Sequence, residues 1–149
     1  MTHRILFVCL GNICRSPSAE AVTRAKAQAR GLDLKLDSAG TGDWHIGAPP
    51  HGPMQRAAAR EGYDLSALCA RQVSVADFDR FDLIVAMDAQ NLRDLQALRP
   101  AQGGAELRLF TDYAPGTGAT HVPDPYHTGE YAAALALIER CAEGLLDQL

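Results

Sequence analysis

The segment Cys9-Leu-Gly-Asn-Ile-Cys-Arg15-Ser16 brings a thiol, a guanidinium and a hydroxyl into one short stretch. It follows the apolar run Ile5-Leu6-Phe7-Val8 and precedes Pro17, a residue suited to the first turn of a helix. A strand-to-helix loop leaves backbone N–H groups unpaired at the helix start, and these favour an anion. The planar fork of Arg15 can grip two oxygens of a phosphate. Gly11 and Asn12 tolerate the positive φ angles that a tightly curled loop requires. Leu10, Gly11, Asn12, Ile13, Cys14, Arg15 and Ser16 are therefore expected to cradle inorganic phosphate or a similar oxyanion. The same field favours the thiolate of Cys9, the nucleophilic form, beneath an electrophilic phosphorus. Ser16 is placed to donate a hydrogen bond to it. Taken alone, Cys9 would read as the buried end of a strand. The Gly-Asn and Arg-Ser-Pro that follow it point to chemistry instead.

A phosphoester leaves most readily when its oxygen is protonated, so a carboxylic acid is needed near the leaving group. Asp124 in Val122-Pro-Asp-Pro-Tyr126 is the candidate, because flanking prolines restrict the backbone that presents it. The same five residues fit an ordinary Asp-Pro turn equally well.

These residues need a scaffold, and the pattern supplies one. Buried strands are expected at about 3–9, 34–38, 81–86 and 106–110, with helical patterns between and after them. The alternation predicts an α/β fold with a parallel sheet covered by helices on both faces. The first helix should run over 17–30, with Ser16 as its N-cap and Gly31 as its stop. A helix over 52–61 stopped by Gly62, a capping box from Ser74 to Asp77, and a helix over 89–98 capped by Asp88 follow. The last helix, 129–148, carries a stripe of Tyr131, Leu135, Ile138, Ala142, Leu145 and Leu149 that should pack on the sheet, with Gly144 weakening it. Residues 39–53 and 111–127 read as long loops, the kind that carry function.

Composition excludes several classes. The chain has 149 residues, 47% hydrophobic and 21% charged, which suits one globular domain over 1–149. No apolar run approaches the roughly 20 residues of a membrane span, and no signal-peptide pattern opens the chain, so a cytoplasmic monomer without membrane contact is expected. Residues 1–75 hold 9 Lys/Arg against 6 Asp/Glu, whereas 76–149 hold 5 against 12. The anion-binding segment thus lies in the positive half, but no dense basic cluster suggests nucleic acid. Cys9, Cys14, Cys69 and Cys141 form no CxxC pair, and the five histidines are scattered. Neither a disulfide framework nor a metal or other cofactor is expected. Cys69 and Cys141 read as structural.

Val8-Cys9-Leu-Gly-Asn-Ile-Cys-Arg-Ser-Pro17 resembles the signature loop of the low-molecular-weight protein tyrosine phosphatases. The resemblance continues through Asp37-Ser38-Ala39-Gly40-Thr41, Trp44-His45-Ile46-Gly47, Ala70-Arg71-Gln72, Phe81-Asp82, Met87-Asp88, Asn91-Leu92-Arg93-Asp94-Leu95 and Asp124-Pro125-Tyr126. It implies a three-layer sandwich around a four-stranded parallel twisted sheet. It also implies metal-independent hydrolysis of phosphotyrosine proteins and small aryl phosphates through a cysteinyl phosphate. On that resemblance Cys9 is the nucleophile, Arg15 the phosphate clamp and Asp124 the general acid. Asn12, Ser38 and Asp88 match family positions; Asn12 and Ser38 are expected to brace the loop, and Asp88 to act mainly as a helix cap.

Trp44 and Tyr126 are expected to wall the substrate pocket. Many family members carry a second tyrosine where this chain has His127, which puts tyrosine-based regulation there in doubt and could alter substrate preference. A curled loop could bring Cys14 close enough to Cys9 for a reversible disulfide that shields the nucleophile from peroxide. Two further enzymes on this fold compete. A thioredoxin-coupled arsenate reductase would need additional cysteines after the third strand, and residues 80–100 have none. A phosphoarginine phosphatase would differ at the pocket wall. A phosphocysteine carrier of a sugar-transport system has no use for Arg15 and Asp124 together. An inactive phosphotyrosine-binding scaffold would not need the intact Cys9, Arg15 and Asp124 set.

Overall fold

Apolar residues on both faces of a strand require cover on both faces, and the first strand meets that condition. The computed structural model describes residues 3–102 and 104–149. In it, β1 (His3–Cys9) lies between β2 (Leu34–Gly40) and β3 (Leu83–Ala86), with β4 (Glu106–Leu109) beyond β3. All neighbours are parallel, with Cys9 opposite Gly40 and Val8 opposite Ala86. Alternation sorts the strand residues into two cores. Ile5, Phe7 and Cys9 pack with Leu83 and Val85 under α1 (Arg15–Ala29), α2 (Gly52–Arg60) and α6 (Tyr131–Asp147). Leu6, Val8, Ile84 and Ala86 pack on the opposite face with Phe78 of α3 (Asp77–Arg80) and Leu95 of α4 (Ala89–Leu98). The result is the expected three-layer α/β sandwich.

The strand order β2-β1-β3-β4 makes β1 the point from which the connections diverge. Open α/β sheets bind ligands at the carboxyl end of such a switch point. The Cys9–Ser16 segment occupies that place.

Several boundaries differ from the sequence reading, each for a physical reason. β2 runs on to Gly40, because Gly40 also bridges to Gln72 and a Cβ there would lie 2.7 Å from the Leu10 carbonyl oxygen. β3 begins at Leu83, since Phe81 caps α3. α1 begins at Arg15 with Cys14 at its N-cap, so Ser16 is not the cap; its hydroxyl has other partners. Gly31 (φ 71°) does follow the helix end, where Leu32 N–H returns to the Ala27 carbonyl. The capping box is half formed: Ser74 N–H donates to Asp77, while Asp77 N–H meets the Ser74 carbonyl rather than its hydroxyl.

The 111–127 stretch is less irregular than expected. It contains two 3₁₀ turns, Phe110–Tyr113 and Pro115–Thr117, and the start of a short helix, α5 (Pro125–Thr128). α5 stops at Gly129 (φ 73°), so the last helix begins at Tyr131. Its stripe is buried at Leu135, Ile138, Ala142 and Leu145, but Leu149 lies beyond the helix and is exposed. Cys141 is buried, and desolvation pushes its thiol up to about 12. Cys69 is exposed and has no place in the core, against expectation. Among the described residues, no helix is long and apolar enough to cross a membrane.

Gly144 does not merely weaken α6. A Cβ at this position would overlap the carbonyl oxygen of Tyr113, so glycine lets the helix approach that 3₁₀ turn. Helix propensity alone predicts that Gly144→Ala stabilises the protein by up to about 1 kcal/mol. Overpacking predicts a loss of roughly 1–3 kcal/mol. Urea denaturation should show the loss; an unchanged or higher midpoint would refute the close approach.

Candidate active site

The loop after β1 curls because Asn12 adopts φ 56°, the left-handed conformation that asparagine tolerates better than most residues. The curl turns the Asn12 N–H toward the Cys9 Sγ at 3.3 Å. The Ser16 hydroxyl reaches the same sulfur at 3.0 Å. The Asn12 N–H donates to the sulfur, and the Ser16 hydroxyl and the thiol share a hydrogen bond in which either is the donor. Cys9 is 3% exposed and lines a cavity of about 220 Å³.

The side chain of Asn12 holds the curl in place. Its Nδ2 donates to Ser16 Oγ (2.8 Å) and Ser38 Oγ (3.0 Å), and its Oδ1 accepts from the Arg71 N–H (3.0 Å). Ser38 in turn donates to Glu20 Oε1 (2.8 Å), a buried carboxylate whose other oxygen pairs with Arg24 (2.6 Å). Arg71 is fixed by a fork onto buried Asp77 and by Asp37. Beneath this network the end of β2 supports the loop directly: Thr41 and Gly42 N–H donate to the Cys9 and Leu10 carbonyls.

The other half of the site is joined through the sheet. Met87 N–H donates to the Val8 carbonyl (3.1 Å), and Val122 N–H donates to the Met87 carbonyl (2.8 Å). The stretch before Asp124 is thereby registered to β1. Arg15, 3% exposed, spans both halves. Its Nη1 donates to Asp88 Oδ2 (2.8 Å) and the Val122 carbonyl (3.0 Å), and its Nη2 lies 3.6 Å from Asp124 Oδ2. Asp124 Oδ1 accepts from the Tyr126 N–H at the start of α5, leaving Oδ2 toward Arg15.

The structure thus brings Cys9, Arg15 and Asp124 to one cavity. Leu10, Gly11, Ile13 and Cys14 line it as well, and Trp44, Tyr126 and His127 stand at its rim. Trp44 is 69% exposed and its ring lies against Gly42, where any Cβ would overlap it. His127 Nε2 is 3.8 Å from Asp124 Oδ2. Asn12 and Ser16 belong to the loop but, like Ser38, do not line the cavity. Cys14 is buried too, and desolvation, then Asp124 and Cys9, push its thiol up to about 12.

Asp88 is more than a cap. Oδ1 caps α4 through the Asn91 N–H (2.7 Å) while Oδ2 holds Arg15. Several site residues escaped the sequence reading. Glu20 carries no local signal within its helix, and Arg71 was visible only within Ala70-Arg71-Gln72. His45 lines the cavity beside Trp44, and the Val122 carbonyl cannot be read from side-chain patterns at all.

Comparison with known proteins agrees with this geometry. A family model described as low molecular weight phosphotyrosine protein phosphatase matches residues 4–149. YfkJ of Bacillus subtilis, named a low molecular weight protein-tyrosine-phosphatase, is 46% identical over 144 residues, covering 95% of this chain and 92% of that protein. The YfkJ crystal structure matches with a TM-score of 0.94 and 44% identity over 99% of this chain and 94% of that one. A protein tyrosine phosphatase of Entamoeba histolytica, crystallised with Hepes in its active site, gives 0.93 at 35% identity over 98% and 96%. A Drosophila arginine phosphatase gives 0.90 at 32% identity over 97% and 96%.

The Arg15–Asp88 pair makes stability depend on pH. Burial alone would raise the Asp88 carboxyl, but the Arg15 and Asn91 hydrogen bonds and the charge of Arg15 outweigh it and hold the group below its ordinary range. A depressed carboxylate stabilises the fold above its unfolded value, about 3.9, and that contribution fades as pH falls through the folded value. Wild type should therefore exceed Asp88→Asn in stability at neutral pH, with the gap closing as pH falls below about 4. Denaturation midpoints across this range provide the measurement. A constant gap would contradict the pairing.

Proposed function

The chain belongs to the low molecular weight phosphotyrosine protein phosphatases, hydrolases of phosphotyrosine, and we propose that it acts as a single catalytic domain by two in-line displacements at Cys9. The observation that carries this reading is the convergence of Arg15 and Asp124 beside a sulfur already held by Ser16 and Asn12. A phosphate ester enters the cavity with its equatorial oxygens on the loop amides and Arg15. Cys9 Sγ attacks phosphorus while the bond to the leaving oxygen breaks. Asp124, protonated, gives its proton to that oxygen, and the alcohol departs. Asp124, now ionised, takes a proton from water as the water oxygen attacks the phosphocysteine. Inorganic phosphate and the Cys9 thiolate are regenerated.

The mouth of the cavity supports phosphotyrosine as substrate. Leu10 and Ile13 are apolar, and Trp44 and Tyr126 offer aromatic faces to a phenol ring. Similarity to an arginine phosphatase keeps phosphoarginine as a second reading. Peptides carrying phosphotyrosine or phosphoarginine, compared by kcat/KM, separate the two; the apolar wall favours phosphotyrosine. A thioredoxin-coupled arsenate reductase fits less well, because the remaining cysteines are exposed Cys69 and buried Cys141, with none in residues 80–100.

We infer that Cys14, which lines the same cavity as Cys9, also protects the nucleophile from peroxide. Peroxide would convert the Cys9 thiolate to a sulfenic acid, and the Cys14 sulfur would then displace its oxygen as water, forming a disulfide that thiols reopen. After peroxide and then thiol, wild type should recover activity and Cys14→Ser should not; equal recovery would refute this role.

Asp124→Ala tests the acid. The loss of kcat/KM should be large, about 10²–10⁴-fold, for phenyl phosphate, whose leaving group needs the proton. It should be much smaller for p-nitrophenyl phosphate. Equal losses would remove Asp124 from the acid role.

A further inference from the structure

Tyr126 stands at the cavity rim on α5, a helix of four residues, with half of its surface exposed. So short an element cannot by itself fix the face that a ring presents. Three histidines surround Tyr126: His45 at 6.3 Å between ring centroids, His51 at 5.1 Å and His127 at 5.4 Å. They differ in how they are held. His127 belongs to α5 itself and its side chain is 70% exposed. His51 belongs to a different part of the fold and is tied at three points.

The His51 N–H donates to the Ile13 carbonyl of the phosphate loop (2.8 Å). Its carbonyl accepts from the Gln55 N–H as α2 begins. Its ring nitrogen Nε2 shares a hydrogen bond with the Tyr131 hydroxyl (3.0 Å), at the start of α6. Tyr131 is itself packed against the core under α1 and α6. The rings of His51 and Tyr126 meet edge to face, with 63° between them. One residue therefore links the loop that holds phosphate to the ring at the mouth, through contacts that the catalytic chemistry does not use.

We propose that His51, oriented by Tyr131, is a positioning residue that fixes Tyr126 relative to the phosphate loop and so sets the preference for aryl phosphates. This rests on the reading of Tyr126 as a wall of the substrate pocket. His51 touches no reacting atom, so its loss should alter recognition of the aryl group and leave both the phosphate site and the chemical steps intact.

Steady-state kinetics of wild type, Tyr131→Phe, His51→Phe and Tyr126→Ala test the assignment, using phosphotyrosine and inhibition by inorganic phosphate. Tyr131→Phe removes only the hydroxyl, and His51→Phe keeps a flat ring without the hydrogen bond. Both should raise KM for phosphotyrosine roughly three- to tenfold, the effect of one hydrogen bond, with kcat and phosphate inhibition within about twofold. Tyr126→Ala should raise KM at least as much, and adding Tyr131→Phe to it should change nothing further. If Tyr126→Ala leaves KM unchanged, the wall reading fails and this inference with it. If Tyr126→Ala raises KM but the other two do not, the wall stands and the role of His51 is overturned. Weaker phosphate inhibition in His51→Phe would also overturn it, by placing the effect in the loop backbone.

Discussion

The geometry of the whole site depends on one residue in a left-handed conformation. Asn12 at φ 56° turns the loop back over Cys9, and the backbone alone would not hold it there. Its side-chain amide makes three hydrogen bonds, to Ser16, Ser38 and the Arg71 N–H. Those partners are themselves fixed, Ser38 by Glu20 and Arg71 by Asp37 and Asp77. Buried polar groups cost free energy unless paired, and here nearly every member is paired. The network thus holds the Asn12 N–H and the Ser16 hydroxyl against the sulfur.

The second constraint is electrostatic. Arg15 is buried, so its charge must be met, and Asp88, Asp124 and the Val122 carbonyl surround it. These partners come from the ends of β3 and from the loop before α5. Pairing one cation therefore fixes the distance between the nucleophile's loop and the acid's loop. The sheet reinforces it through the hydrogen bonds from Val122 to Met87 and from Met87 to Val8. The residue that would grip substrate phosphate also assembles the site.

Local chemistry was legible in the sequence where it is local in space. The strand-to-helix junction, the Gly-Asn pair, Asp124 between prolines and the cap at Asp88 all act within a few residues. The sheet followed from short strand-like runs alternating with helical patterns, although β4 at its edge is not buried as expected but alternates exposed and half-buried residues. What could not be read depends on contacts between distant segments. Ser16 looked like a helix cap because serine caps helices, but the helix starts one residue earlier and the hydroxyl serves Cys9 and Asn12. Nothing local in the sequence marks the roles of Glu20 and Arg71; Ser38 ties the first to the loop, and Asp37 and Asp77 lock the second. Gly144 looked like a weak point in a helix and is instead a contact that only glycine permits. The short helix after Asp124 escaped notice because four residues carry no periodicity.

A two-step reaction at Cys9 passes through a covalent phosphocysteine, which can be trapped. Acid quenching during turnover of p-nitrophenyl phosphate, followed by peptide mass spectrometry, reports which residue carries phosphate. The expected result is one phosphoryl group per enzyme on the peptide containing Cys9, absent in Cys9→Ser together with turnover. Phosphate on another residue, or turnover that persists in Cys9→Ser, would contradict it.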